Sequence, residues 1–196
     1  NTYHIDSEKI DVVYNGCNTL YRPLEDQEKQ NIRNQYTQGD PYFLFVGLVH
    51  KRKNLERLFK AFDRFKKEDQ KNTKFVIVGS LKGFPGEIEQ TYLQMEHKED
   101  VIFLGRKEIG ELILITGAAE AMLYISLYEG FGIPILEGFH AEIPVITSKT
   151  TSMPEIAGDA ALLVDPYSVD EITQSLVEIS TNSTLRSELI QKGKQR

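Results

Sequence analysis

The sequence predicts an α/β domain built on a doubly wound, six-stranded, Rossmann-like parallel sheet. Three observations carry this. From Tyr42 onward, short apolar runs alternate with longer amphipathic ones. The short runs are apolar throughout rather than at every second position, which marks strands buried on both faces. Four of them end in a small residue, Gly47, Gly79, Gly105 or Ser126, at the carboxyl edge where such sheets bind ligands.

The elements follow in order. YFLFVG (42–47) is the first strand. In NLERLFKAFDRFKKE, Leu55, Leu58, Phe59, Phe62 and Phe65 recur at the three/four spacing of a helix face. KFVIVG (74–79) is the second strand, and a helix is expected between Pro85 and His97, with Pro85 near its first turn. VIFLG (101–105) is the third strand, followed by a helical pattern from Glu108 to about Ala119. MLYIS (122–126) is the fourth and runs into a Gly-Phe-Gly-Ile-Pro turn, after which Pro134 suits a helix opening. IPVIT (143–147) and ALLVD (161–165) complete the sheet, and helical segments are expected at 169–180 and 183–192. Before Tyr42 the pattern changes: the IDVVYNG run (10–16), which contains VVYNG, is compatible with a strand, and EDQEKQNIRNQYTQGD with a polar helix and linker. The closing LIQKGKQR offers no packed terminal element, as expected of a truncated boundary.

Composition narrows the function classes. The 196 residues suit one domain with a short extension, and 40% hydrophobic with 27% charged residues is ordinary for a soluble globular chain. No apolar run approaches the ~18 residues of a membrane span. The start has neither a basic leader nor an initiator Met, so a fragment is expected. The single Cys17 rules out an internal disulfide and suits a reducing compartment, giving a cytoplasmic expectation. A net charge of -6 argues against a nucleic-acid partner. It leaves room for an anionic small molecule at a local basic cluster, Lys51-Arg52-Lys53.

Three constellations carry candidate chemistry. In GLVHKRKN, Asn54 suits the N-cap of the following helix, so free amides, the positive helix end, Arg52 and Lys53 face one place. That is a site for a diphosphate; a solvated basic turn is the alternative. In EGFGIPILE, Glu129 and Glu137 stand on either side of a flexible turn, with Gly130 and Gly132 free to bring backbone amides close to a ligand. Two carboxylates entering one cleft from different heights suit the vicinal hydroxyls of a ligand with two sugar rings. Glycosidase-like acid/base chemistry, or a helix-turn cap beside a solvated acid, remain open. In TTSMPE, the hydroxyls of Thr150 to Ser152 suit either phosphate or a plain turn, and Glu155 suits a helix start. The histidines His4, His50, His97 and His140 have no metal-ligand spacing; His50 reads as a surface residue beside the basic cluster, with phosphate contact the alternative, and His140 as packed or partly buried. No Walker loop, GxGxxG or Gly-x-Ser-x-Gly elbow occurs.

In this order, FVGLVHKRKNLERLFKAF, KFVIVGS, VIFLG, YISLYEGFGIPILEGF, IPVITSKTTSMPEIAGDAALLVDP and LRSELIQKG resemble the C-terminal, donor-binding half of a family 4 (group 1) retaining glycosyltransferase of the GT-B fold. EGFGIPILE is the most specific part. The resemblance implies residues 1–41 as the end of an N-terminal domain and linker, and 42–196 as a nucleotide-sugar-binding domain truncated at its C-terminus. It implies catalytic roles for Glu129 and Lys53. Donor contacts would come from Gly47, Arg52, Lys53, Gly79, Gly105, Arg106, Glu129, Gly130, Phe131, Gly132, Ile133 and Glu137. Lys53 and Arg52 would hold the diphosphate, Glu129 the sugar, and Glu137 the ribose, with Gly105 and Arg106 near the base. No metal ion and no cofactor are implied.

The donor would be a UDP-, GDP- or ADP-sugar and the acceptor a glycan or lipid-linked sugar, in polysaccharide or glycolipid synthesis. The full-length protein would be cytoplasmic or peripheral at the inner membrane surface. The missing N-terminal domain would complete the enzyme, and this chain alone would only bind donor. Two positions depart from the pattern. Leu48 stands where many relatives carry Arg, which leaves Arg52 as the compensating cation. Glu142 stands where glycine is usual and is expected to reshape its loop. The rival readings are a non-catalytic nucleotide-sugar-binding module and a GT-B nucleotide-sugar epimerase or phosphorylase.

Overall fold

The computed structural model describes residues 6–80 and 86–196, so Pro85 lies outside the described residues. After a single turn (Ser7–Lys9) the chain runs without strand structure to Glu25. The VVYNG run therefore forms no strand: among the described residues no strand lies alongside to take its backbone bonds, and Val12 and Val13 are 74% and 88% exposed. Helix α1 (Asp26–Thr37) opens on reciprocal bonds between Glu25 and Glu28. Polar as it is, α1 is docked. Arg33 donates to the Ala118 carbonyl and pairs with Glu120, each at 3.0 Å. Just before the helix, the Leu24 side chain occupies space that a Cβ on Gly117 would take.

The body then alternates: β1 (Tyr42–Val46), α2 (Leu55–Phe65), β2 (Lys74–Val78), α3 (Gly86–Leu93), β3 (Val101–Gly105), α4 (Ile109–Gly117), β4 (Ala121–Tyr124), α5 (Ile133–His140), β5 (Val145–Ser148), α6 (Met153–Ala157), β6 (Leu162–Val164), α7 (Val169–Thr181) and α8 (Ser183–Gln195). All six strands are parallel, in the order β3-β2-β1-β4-β5-β6. This is the doubly wound sheet that the apolar runs predict. The order reverses between β1 and β4, and that reversal opens a crevice at the carboxyl edge.

Alternate strand residues feed two cores, as the period of two requires. Phe43, Phe45, Phe75, Ile77 and Leu123 pack with the buried face of α2, with Ile88 of α3 and with Ile172, Leu176 and Ile179 of α7. Tyr42, Leu44, Val76, Met122 and Val145 face the other way, onto α4, α5, α6 and Leu24. The five apolar residues read as the face of α2 are all buried, each contributing about 1.5–3 kcal/mol. At the amino edge of the sheet, Lys66 bridges Asp69 and Asp100 at 3.0 and 3.1 Å, and Lys74 joins Asp100 at 2.5 Å.

Two expectations are corrected here. The end of the chain is packed: Leu189 and Gly193 of α8 are buried, with Gly193 lying against the Phe139 ring so closely that a Cβ would come within 2.9 Å. The Arg196 guanidinium donates to the Ile156 carbonyl at 3.1 Å. His140, expected to be packed or partly buried, is exposed, since the apolar side of α5 is carried by Ile135 and Phe139. Glu142 has left-handed backbone, φ 54°, a conformation that glycine takes most easily. Ile143 N–H closes the turn on Gly138 O at 3.1 Å, and Glu142 pairs with Lys194 at 2.7 Å.

The strand ends after β1 and β2 touch through backbone. A Cβ on Gly79 would lie 1.8 Å from the Gly47 carbonyl oxygen, so only glycine fits there. Gly79→Ala is therefore expected to destabilise the chain by about 3 kcal/mol. The check is the urea midpoint with an unchanged slope.

Candidate functional site

The site is built where β1 and β4 diverge. After Gly47 the chain makes a short turn, Lys51–Lys53, capped by His50, whose Nδ1 accepts from the Arg52 N–H at 3.2 Å. His50 is exposed, as the surface reading had it. Asn54 follows with φ 62° and is 2% exposed. It occupies the N-cap position of α2 without capping it. Its Nδ2 instead donates to Ile125 O at 3.1 Å and to Pro166 O at 2.7 Å, tying the turn to the ends of β4 and β6. Leu127 N–H adds a bond to Arg52 O at 2.7 Å. The turn is thereby pulled inward, and Lys53 is only 8% exposed.

Glu129 meets it there. Its Oε1 lies 2.8 Å from Lys53 Nζ and 2.6 Å from Arg52 Nη1. Lys53 Nζ is also 3.3 Å from the Tyr124 hydroxyl. Burial works against the Glu129 charge, but bonds from Lys53, Ser126 and Arg52 outweigh it and hold the carboxyl below its ordinary range. Burial pulls the Lys53 ammonium down from its ordinary range, with Glu129 opposing. Gly132, at φ 130°, turns the chain into α5, with Pro134 in the first turn. One turn in, Glu137 faces the same cleft, half-buried. Burial raises its carboxyl above the ordinary range, against a lowering contribution from Tyr21. Burial and Glu137 together push the Cys17 thiol up to about 11.

A cleft of about 500 Å³ brings together Gly47, Arg52, Lys53, Glu129, Phe131, Gly132, Ile133 and Glu137. Four of the anticipated residues are not in its lining. Gly79 sits behind Gly47, Gly105 bonds to Gly79 through its carbonyl at 2.8 Å, and Arg106 and Gly130 are exposed. Leu48, in the position where Arg was expected, lines the cleft at 53% exposed, with Leu112. Arg52 thus stands as the second cation beside Lys53.

The hydroxyls of the β5–α6 connection turn to the neighbouring loop. Glu129 N–H donates to Thr151 Oγ1 at 3.3 Å, and Ser152 Oγ lies 3.0 Å from Glu129 O and 2.6 Å from Phe131 O. Glu155 is in the first turn of α6, as expected, and accepts from the Tyr14 hydroxyl at 2.5 Å. Sequence reasoning missed Tyr124, although a tyrosine in a wholly buried strand signals a polar partner for its hydroxyl. It also missed Tyr21, which no local pattern brings to Glu137. Among the described residues, no three His, Cys, Asp or Glu side chains group as a metal site requires, and no helix is long and apolar enough to cross a membrane.

The doubly wound parallel sheet, with Lys53 and Arg52 set at its switch point, places this chain among Rossmann-like α/β domains. Residues 26–196 match the family described as glycosyl transferases group 1, and the chain belongs to that family. The O-antigen chain mannosyltransferase B of Escherichia coli is 28% identical over 97% of this chain and 50% of its own length. The C-terminal domain of a group 1 family protein, LpcC, from Francisella tularensis matches with a TM-score of 0.77 and 26% identity, over 92% of this chain and 95% of that one. HepE of Anabaena, solved with UDP and glucose, matches with a TM-score of 0.84 and 17% identity, over 100% of this chain and 55% of its own. The chain thus spans about half the length of the curated relative and of HepE. These matches agree with the C-terminal half of a GT-B glycosyltransferase as the fold.

The two glutamates are expected to act on stability with opposite sign. Glu129, lowered in the fold, contributes stability above the unfolded carboxylate range of about 4.3 and loses it as pH falls through its folded value. Glu137, raised in the fold, costs stability that builds up as pH rises from the unfolded carboxylate value of about 4.3 and is complete once pH passes its folded value. Glu137→Gln is therefore expected to be more stable than the parent chain at pH 7, with the difference vanishing below about pH 4. Denaturant titrations across pH check this; equal differences at both pH values would contradict it.

Proposed function

We propose that this chain is the donor-binding half of a retaining hexosyltransferase, taking a sugar from a nucleotide diphosphate to an acceptor hydroxyl. The observation that carries the reading is the pairing of Lys53 and Arg52 with Glu129 in one cleft at the switch point. Lys53 and Arg52 hold the diphosphate and stabilise its charge as the glycosidic bond breaks. Glu129 and the loop Phe131, Gly132 and Ile133 meet the sugar, and Glu137 meets the ribose hydroxyls. Gly79, Gly105, Arg106 and Gly130 shape the approach to base and sugar. Residues 1–41 belong to the end of a preceding domain and its linker. That domain brings the acceptor, a glycan or lipid-linked sugar, over the donor. The UDP and glucose bound by HepE support a nucleotide-sugar ligand, and the E. coli relative makes mannose the first sugar to test. The full-length enzyme works in the cytoplasm or at the inner membrane surface.

Isothermal calorimetry with UDP, GDP and ADP, with their nucleosides, and with the matching sugars tests this. Lys53→Ala is expected to weaken nucleoside diphosphate binding by about 1.5–3 kcal/mol, the range for charge-assisted bonds, while nucleoside binding stays unchanged. Equal losses for both ligands would remove Lys53 from the diphosphate site.

Transfer is expected only when the preceding domain is joined. Holding an acceptor hydroxyl at the anomeric carbon in a water-poor site contributes several kcal/mol to the rate, roughly the effect of proximity in enzymes. A donor-consumption assay on this chain and on the longer protein checks it. Robust transfer by the 196 residues alone would place the active site elsewhere.

A further inference from the structure

Backbone pairing between β4 and β5 ends at Tyr124 and Thr147, but contact between the two segments does not. Side-chain hydroxyls extend it. Thr147 Oγ1 donates to Tyr124 O at 2.8 Å, and Ser148 Oγ to Ser126 O at 2.5 Å. Beyond the strand, Thr151 Oγ1 accepts from Glu129 N–H, and Ser152 Oγ shares its proton between Glu129 O and Phe131 O. Four hydroxyls of one segment thus follow the other from the end of β4 to the start of α5. The followed segment is the one that carries Glu129 into the cleft.

The geometry at Thr151 shows that this contact is imposed. Thr151 has φ 57°, a left-handed conformation that β-branched residues avoid. Such backbone persists only where the surroundings over-determine it. Neither Thr151 nor Ser152 lines the cleft, so neither needs to be there for direct contact with a ligand. Both touch the loop from behind, at the residue that pairs with Lys53 and Arg52 on its other side.

We propose that Thr151 and Ser152 are positioning residues for recognition of the donor sugar. They fix the height of residues 129–131, so that the Glu129 carboxylate stands in the cleft and Phe131 and Gly132 form its wall. The proposal rests on the donor-binding reading above. Since the diphosphate is held by Lys53 and Arg52, loosening the loop affects the sugar and spares the diphosphate.

The experiment uses the 196-residue chain with Ser152→Ala and Ser152→Thr. Three quantities are read: the thermal midpoint, amide hydrogen exchange at Glu129 and Phe131 against β1 and α2, and calorimetric Kd values for UDP, UDP-glucose, GDP and GDP-mannose. Ser152→Ala is expected to speed exchange at 129–131 and to cut the preference for nucleotide sugar over nucleoside diphosphate, each by about tenfold, the size of one lost hydrogen bond. Nucleoside diphosphate Kd is expected to stay within about twofold, well below that effect. Ser152→Thr, which keeps the hydroxyl, restores both. Unchanged exchange at 129–131 overturns the proposal. So does exchange raised throughout the chain with equal losses for both ligand types, which would make Ser152 a support of the fold alone. If the parent chain prefers no nucleotide sugar while Ser152→Ala still loosens the loop, the donor reading falls, and with it sugar recognition as the purpose of the clamp.

Discussion

At the carboxyl edge, the connections after β1, β4 and β6 are fastened to one another by the Asn54 carboxamide. Its two N–H groups satisfy the buried carbonyls of Ile125 and Pro166, and its Oδ1 accepts from Arg57 at 3.1 Å. A single small side chain therefore fastens the connections after β1, β4 and β6 to one another. Asn suits the place for two reasons: it tolerates left-handed backbone, and it carries two donors on one nitrogen. With the turn pinned, Lys53 has nowhere to extend but into the cleft. Removing the carboxamide would leave two buried carbonyls without donors, a cost of about 1–3 kcal/mol each.

The two edges of the sheet treat charge differently. At the amino edge, the Asp69 side chain is wholly buried, but it accepts from the Thr73 and Lys71 amides, the Thr73 hydroxyl and Lys66. Those bonds outweigh the cost of burial, and the carboxyl lies below its ordinary range. At the carboxyl edge, Glu129 is compensated by two cations, whereas Glu137 is half-buried with only Tyr21 favouring its charge. A carboxylate held at a cost in a cleft, beside one that is well paired, is the imbalance expected of a site rather than of a scaffold.

The cleft also shows how a flexible turn becomes a defined one. EGFGIPILE has two glycines, and alone it would sample many conformations. The hydroxyls from the end of β5 and the loop after it restrict that freedom without entering the cleft, and Leu127 and Arg52 bind its other flank. Glycine thus supplies the shape of the turn, and its neighbours supply the rigidity. A pair of carboxylates on either side of a hinge keeps a constant relation only because both flanks are tied.

The sequence by itself determined the sheet, the face of α2, the turn between Glu129 and Glu137, and the meeting of cations with the first helix end. These follow from local rules: apolar runs for strands buried on both faces, three/four spacing for helices, glycine and proline at the turns. Tertiary structure alone decided the rest. VVYNG has the composition of a strand, but among the described residues no strand pairs with it, and it is not one. His140 lies on an apolar helix but on its outer side. The run ending in Gly193 packs because Phe139, far away in sequence, offers it a surface. Asn54 reads as a cap, and Thr151 and Ser152 as an ordinary polar turn, because nothing nearby in the chain reveals the carbonyls they serve. Local pattern records which surfaces must be buried. The partner of each polar group is a long-range contact, and only the folded chain brings the two within bonding distance.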